Sequence, residues 1–211
     1  VVENTKYIIK KLYESVDQAG EFIEDKIQEE TVFGQKPNEN VTLSVDKTTA
    51  PYGFTLSSDT VLTKTIKPDG TTVFELKYVR NKYKVNFEVN FNSTQFPGAN
   101  PSTQSDQTVR HEGKVKKPDA NPTLTKPGFQ YVFKHWQLKD EMNGQYKETK
   151  PFDFKNSKVT RNLTLVAYFE QKTVTATYTI NHVFEGIDGQ PDHTISEKSH
   201  TAQAGTKITV N

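Results

Sequence analysis

The chain has 211 residues, 33% of them hydrophobic, with 10 Pro and 11 Gly; that excludes a collagen-like or disordered segment, and makes one large core less suitable than several small ones. Its 27 Lys and Arg against 26 Asp and Glu leave a formal net charge of +1, and both signs mix along the whole length, so no field steering toward nucleic acid or an anionic membrane is evident. The absence of Cys excludes disulfides, thiolate zinc sites and a cysteine nucleophile, and fits either a cytosolic or an exported bacterial protein.

No apolar run approaches the roughly 20 residues that span a bilayer. Val1 is neither a natural start nor the beginning of a signal peptide, which gives the expectation of an interior fragment.

The first apolar segment covers residues 7–13. Residues 21–30 follow, where Phe22, Ile23 and Ile27 give only a weak helical stripe and a strand is the better expectation. Residues 61–66 and 72–79 alternate with period two around Pro68-Asp69-Gly70, a tight-turn sequence that predicts a hairpin. The strictest alternation is Tyr83, Val85, Phe87, Val89 and Phe91 against Lys84, Asn86, Glu88 and Asn90, the pattern of a half-buried strand. Residues 139–145 and 153–157 are each long enough only for a short helix or a turn. Two more alternating runs, 163–169 and 178–184, complete a chain that reads as mainly β, in the α+β class.

The chain repeats itself at a constant offset. Tyr7, Ile9 and Glu14 align with Tyr178, Ile180 and Glu185, and Tyr13 aligns with Phe184. The same offset pairs Asp17 with Asp188, Gly34 with Gly205, Lys36 with Lys207 and Asn40 with Asn211. The expected organisation is therefore a first unit at 1–80, a different unit at 81–171, and the opening half of a second copy of the first at 172–211. The strands of that half-copy are expected to lack partners, leaving an edge exposed or completed by another chain.

In the middle unit, Tyr83-Lys84-Val85-Asn86-Phe87 is followed by Gln107-Thr108-Val109, Gly113-Lys114-Val115, Pro118, Pro127-Gly128-Phe129, Phe133-Lys134-His135-Trp136, Phe152-Asp153-Phe154 and the strand from Asn162 to Tyr168. This series resembles the Listeria–Bacteroides repeat, the internalin B-repeat. His135 stands where that family usually has Gly, Phe169 replaces a closing Trp, and Phe96-Pro97-Gly98-Ala99-Asn100-Pro101 reads as a loop insertion. The outer units, through residues 7–14, Pro51-Tyr52-Gly53-Phe54, Asp69-Gly70 and the run from Phe74 to Asn81, are similar to mucin-binding-protein-like repeats. The two resemblances imply tandem β-grasp, ubiquitin-like modules in an elongated array, and a fragment of a Gram-positive surface adhesin. Such a protein is extracellular and attached to the cell wall through regions outside this chain.

Gly128 permits a turn before Phe129, and Phe129, Phe133, Trp136, Phe152 and Phe154 are expected to supply core area before any site. No catalytic, cofactor or metal residue is assigned, and no ligand-binding residue is named. His111, His135, His182, His193 and His200 form no His-x-x-x-His pair, and a spacing of seven sends His193 and His200 to opposite strand faces. Asp153 with Glu148 and Asp17 with Glu14 are carboxylate pairs that read as solvated surface acids. Asp188-Gly189 with Asp192 reads as a weak calcium loop or, equally, a tight turn. No Gly-x-Ser-x-Gly elbow or phosphate loop is present. A Lys to Asn or Asp isopeptide crosslink has no identifying motif here, and intact mass would reveal one.

Lys82-Tyr83-Lys84 and Lys134-His135-Trp136 interleave basic and aromatic residues, which a sheet with a polar outer face explains better than base stacking does. The leading expectation is a non-catalytic adhesin segment that projects or contributes to binding of host mucin, glycans or a host protein, with loops 92–105 and 188–193 as candidate contacts and neighbouring repeats as partners. The alternative is a structural spacer without a ligand. A carbohydrate-active enzyme ranks last, since it needs paired carboxylates about 5 to 10 Å apart in a cleft.

Overall fold

The computed structural model describes residues 4–91, 94–143, 146–147 and 149–210. The chain is mainly β, with 45% strand and 6% helix. In order it forms β1 (Thr5–Glu14), β2 (Phe22–Glu24), a 3-10 turn (Lys26–Gln28), β3 (Glu30–Gln35), β4 (Asn40–Thr42), α1 (Val45–Thr48), β5 (Phe54–Leu56), β6 (Thr63–Thr65), β7 (Thr72–Arg80) and β8 (Lys82–Glu88). It continues with β9 (Asn100–Pro101), β10 (Gln107–Arg110), β11 (Leu124–Thr125), β12 (Phe129–Leu138), a 3-10 helix (Lys139–Met142), β13 (Leu163–Thr173), β14 (Thr175–Tyr178), β15 (Asn181–Phe184), β16 (His193–Ser196) and β17 (His200–Gln203).

Contacts group these elements into two compact units. One comprises Val1–Val85, Asp106–Lys117 and Asp153–Leu163; the other comprises Asn86–Ser105, Pro118–Phe152 and Thr164–Asn211. This grouping follows contacts and interleaves along the chain, whereas the sequence divisions 1–80, 81–171 and 172–211 follow similarity between segments.

In the first unit, β1 lies at the centre of a mixed sheet of order β2-β1-β7-β5, with β3 also paired to β1. β1 and β7 run parallel from Tyr7 opposite Thr72 to Tyr13 opposite Tyr78. β2, β3 and β5 add antiparallel to this pair. A crossover of this length is what a parallel neighbour requires. One face of β1 and β7 buries Tyr7, Ile9, Phe74, Leu76 and Tyr78, and the antiparallel ribbon of β4 and β6 brings up Leu43 and Ile66. Alternation in β7 is clean, with Phe74, Leu76 and Tyr78 fully buried and Glu75 exposed. Burial of the Tyr78 hydroxyl pushes its pKa up to about 12. β10 pairs with β8 from Gln107 opposite Val85 to Arg110 opposite Lys82.

In the second unit, β12 and β13 form an antiparallel pair with a bulge between Phe133 and His135. Trp136 is buried, edge-on to Phe87 at 4.9 Å and to Phe133 at 5.8 Å between ring centroids. Phe129, Phe133 and Phe152 are half-buried here, as is Phe154 in the first unit. A second cluster gathers Phe91, Met142 and Val166, with Tyr146 packed on it.

The structure revises four sequence expectations. Pro68-Asp69-Gly70 does make a turn, closed by Gly70 N–H to Lys67 C=O at 3.1 Å and by Asp69 accepting from Thr71. It joins no hairpin, because β6 pairs with β4 while β7 pairs with β1 and β5. Residues 21–30 are strand only at their two ends, with the 3-10 turn between, capped by Asp25 accepting from Ile27 N–H. The run 178–184 divides into β14 and β15 at Thr179-Ile180. Finally, the strands of 172–211 do find partners, β17 for β14 and β16 for β15. Of the two short helical candidates, the segment from Lys139 forms a 3-10 helix and 153–157 is a turn closed by Ser157 N–H to Asp153 C=O at 2.9 Å.

Candidate functional site

A dense polar arrangement lies in the first unit, where β1 ends at Glu14 and β7 ends at Arg80. Glu14 is only 6% exposed. Its carboxylate accepts from the backbone N–H of Gly20 and of Arg80, each at 2.9 Å. Burial pushes this carboxyl upward, but those two N–H donors, with Arg110 and Lys82 nearby, outweigh it and hold its pKa below the usual carboxylate range.

Arg80 turns its guanidinium the other way. Its Nε donates to Glu14 C=O at 2.7 Å, and its Nη1 donates to His111 C=O at 3.0 Å and to Glu112 Oε2 at 2.8 Å. Phe54 lies flat under it at 4.8 Å. Hydrogen bonding from Arg80, against the opposing effect of burial and with Lys158 and His111 adding charge, lowers the Glu112 pKa. Arg110 donates to Val16 C=O at 2.6 Å. A half-buried arginine with several fixed acceptors is a rigid tie, since the planar fork loses little entropy per bond formed.

Beside it, His111 is buried among Tyr52, Phe54 and Tyr83, all edge-on at 5.5 to 6.0 Å. Among the described residues its Nδ1 has no hydrogen-bond partner. Gly53 has φ of +83°, and a Cβ there would stand 2.2 Å from the imidazole. Only glycine lets backbone and ring approach so closely. The Tyr52 hydroxyl donates to Thr160 C=O at 2.8 Å.

Next to these ties lies an open cleft of about 600 Å³, lined by Glu14, Val16, Lys82, Arg110 and Lys114 among others. Lys82 and Lys114 are exposed. The cleft is a concave, partly cationic surface of this unit that a polar ligand could enter.

The second unit has a matching close approach. Gly128, at φ of +79°, would place a Cβ 2.2 Å from Ala204 O. Its carbonyl accepts from Val174 N–H at 3.0 Å and from Gln203 Nε2 at 3.4 Å. The turn before Phe129 was legible in the sequence; the backbone against it was not.

The remaining candidates are dispersed. Asp153 is occupied by Lys155 N–H, Asn156 N–H and Asn156 Nδ2; Glu148 lies outside the described residues, as does Asn211. Both Glu14 oxygens serve the backbone, and Asp17 donates its own N–H to Ser15 Oγ at 3.3 Å. Asp188 and Gly189 form a turn with φ of 54° and 81°, closed by Gln190 N–H to Ile187 C=O at 3.2 Å, and Asp192 accepts from Gly186 N–H. That is the tight-turn reading rather than an open calcium loop. His135 stacks on Tyr168, His193 is exposed, and His182 and His200 each bond one oxygen of Glu197, at 2.7 and 2.8 Å. Among the described residues no group of three or more His, Cys, Asp or Glu side chains is placed to hold a metal ion, and no helix is long and apolar enough to cross a membrane.

Of the candidate loop 92–105, Asn92 and Ser93 lie outside the described residues. Phe96 is not free for contact, because it is edge-on to Tyr131 at 5.0 Å and to Tyr146 at 5.3 Å, with Asn90 bonding its backbone. Sequence reasoning missed Arg80, Arg110 and His111 as a group. The available signal was Glu14 itself, a charge closing an apolar strand and repeated at Glu185.

No protein-family model matches the chain, and no curated protein matches it.

Proposed function

We propose that this chain is a non-catalytic repeat segment of a Gram-positive cell-surface adhesin, built from tandem β-grasp modules and exposed on the cell wall. The observation that carries this reading is a recurrence in three dimensions. In the first copy β1 receives β2 and β3 on one edge; at the repeat offset, β15 receives β16 and β14 receives β17. The elements recur while the register does not: Tyr13 of β1 faces Ile23, and its counterpart Phe184 faces His193 rather than Thr194. A repeated supersecondary unit is the hallmark of an array. The mixed sheet with β1 and β7 parallel at its centre supports the β-grasp reading.

On this reading the segment projects a binding region or contributes to binding of host mucin, glycans or a host surface protein, with the cleft beside Lys82 and Arg110 as its own candidate contact. It uses no cofactor and acts on no nucleic acid. A structural spacer is the second reading, favoured by the Arg80, Glu14 and Gly53–His111 ties, which stiffen the unit without presenting a ligand.

Binding of the purified chain to immobilised mucin and a glycan array, across a salt series, tests the first against the second. Saturable, salt-tolerant binding that is lost in Trp136→Ala, a variant expected to lose about 3–5 kcal/mol of stability, supports the binding module. No binding at high concentration moves the segment to the spacer reading.

A further inference from the structure

We propose that the edge of β14 and β15 opposite β17 and β16 is an acceptor for one extended polypeptide strand of the β7 pattern, docking parallel to it. This inference rests on the geometry of the two copies and not on the adhesin reading. In the first copy, the antiparallel strands β2 and β3 occupy one edge of β1 and β7 occupies the other. Among the described residues β14 pairs only with β17 and β15 only with β16. The second copy therefore carries strands on one edge, in a shifted register, and leaves the other uncovered.

The side chains agree. Tyr13 of β1 is stacked on Tyr78 of β7 at 5.3 Å and edge-on to Phe54 of β5 at 5.2 Å. Its equivalent Phe184 is 54% exposed, and Ile195, in a register pair with His182 on the same face, is 51% exposed. The aromatic group that β7 covers at Tyr13 stands in solvent at Phe184, with the exposed Ile195 beside it.

The edge also lacks the usual protection. Residues 173–184 read Thr-Val-Thr-Ala-Thr-Tyr-Thr-Ile-Asn-His-Val-Phe, without Lys, Arg, Asp, Glu or Pro, whereas β1 carries Lys6, Lys10 and Lys11. Open edges are normally blunted by charge or Pro, and an uncharged, β-branched edge is a template for a further strand.

The first copy also gives the register. Tyr7 opposite Thr72, Ile9 opposite Phe74 and Tyr13 opposite Tyr78 translate to Tyr178 opposite the first Thr of the incoming strand, Ile180 opposite its Phe and Phe184 opposite its Tyr. Alternation in β7 puts Phe74, Leu76 and Tyr78 on one face, so the docked strand delivers its apolar row to the side where Phe184 waits.

The test uses the full chain, isotope-labelled, and a synthetic peptide of residues 71–81. The expected result is slowed hydrogen exchange in residues 174–184, with a spin label at the peptide N-terminus broadening amides near Tyr178 and one at its C-terminus broadening those near Phe184. A peptide carrying Phe74→Asp and Tyr78→Asp binds at least tenfold more weakly. Phe184→Asp in the chain does the same while leaving the β14 and β17 amide shifts in place. Absence of binding, the reverse order of broadening, perturbation confined to residues 5–14, or protection of 174–184 by self-association of the chain without peptide each overturns the proposal.

Discussion

β1 and its repeat counterpart begin from nearly the same sequence pattern and reach different structures. Tyr7-Ile8-Ile9 continues into ten residues of unbroken strand, while Tyr178-Thr179-Ile180 interrupts two strands of four residues each. Local propensity does not separate them, since Thr and Ile both favour strands. What differs is the second neighbour. β7 pairs with β1 across seven consecutive register positions, from Tyr7 to Tyr13, and so spans the point at which the second copy breaks. Strand continuity is here a property of the sheet rather than of the strand.

The largest effect expected from this comparison falls on the equivalent isoleucines. Ile9 is 1% exposed inside the β1–β7 core, so Ile9→Ala should cost about 2–5 kcal/mol. Ile180 is only half-buried, and Ile180→Ala should cost less than about 1 kcal/mol. Denaturant melts of the two variants measure both. Equal losses would mean that the second copy has a core as well packed as the first.

The equivalent glycines should invert the order. Gly34 and Gly205 share φ near +80° (77° and 79°), but a Cβ at Gly34 meets nothing within 4 Å, while one at Gly205 stands 2.9 Å from Pro127 Cβ. Gly34→Ala should cost about 1–2 kcal/mol for the left-handed backbone alone. Gly205→Ala carries that cost and at least ~1 kcal/mol more for displaced packing. If Gly205→Ala proves the milder change, the contact with Pro127 is loose in solution and the second copy is less anchored than its backbone bonds suggest.

Much of this organisation was legible because it is local. Alternation located β7, β8 and β13, and Trp136 read as core because a unit with few apolar residues needs the area a large aromatic buries. The constant offset found the repeat before any pairing was known. The illegible parts join residues far apart in the chain. Pro68-Asp69-Gly70 carries the chemistry of a turn, and nothing local says that the strand after it will run beside β1 instead of β6. Glu14, Arg80, Arg110 and His111 converge across up to 97 positions of sequence, each unremarkable alone. The short helix α1, with Ser44 before it and Asp46 in its first turn, was missed as too brief to give a period.

Glu14 and Glu185 offer a third, smaller contrast. Glu14→Gln replaces a buried acceptor of two backbone N–H bonds and should cost about 1–3 kcal/mol, whereas Glu185 is exposed and Glu185→Gln should stay within about 0.5 kcal/mol. The pH dependence has a definite sign. Because the folded Glu14 pKa lies below its unfolded value, its stabilisation is fully present above the ordinary carboxylate range and is lost as pH falls through the lowered value. Melting the wild type and Glu14→Gln from neutral pH into acid should bring the two curves together. Curves that stay parallel would show that the carboxylate charge contributes nothing.

The smallest effect concerns what holds the two halves of the second copy together in place of a continuous strand. Glu197 bonds His182 of β15 and His200 of β17, and hydrogen bonds from His182 and then His200 lower its pKa. All three side chains are well exposed, so solvent screens the pairing and the contribution is a local one. Glu197→Gln should leave the melting temperature unchanged and speed hydrogen exchange of amides in β14 to β17 by a few-fold, with β1 unaffected. In the wild type the same loosening should appear as pH falls through the lowered Glu197 value and be absent above the ordinary carboxylate range. If exchange in β14 to β17 is as slow as in β1 and insensitive to Glu197, the break at Thr179-Ile180 costs the second copy no local stability. The continuous β7 neighbour would then not be what distinguishes the two.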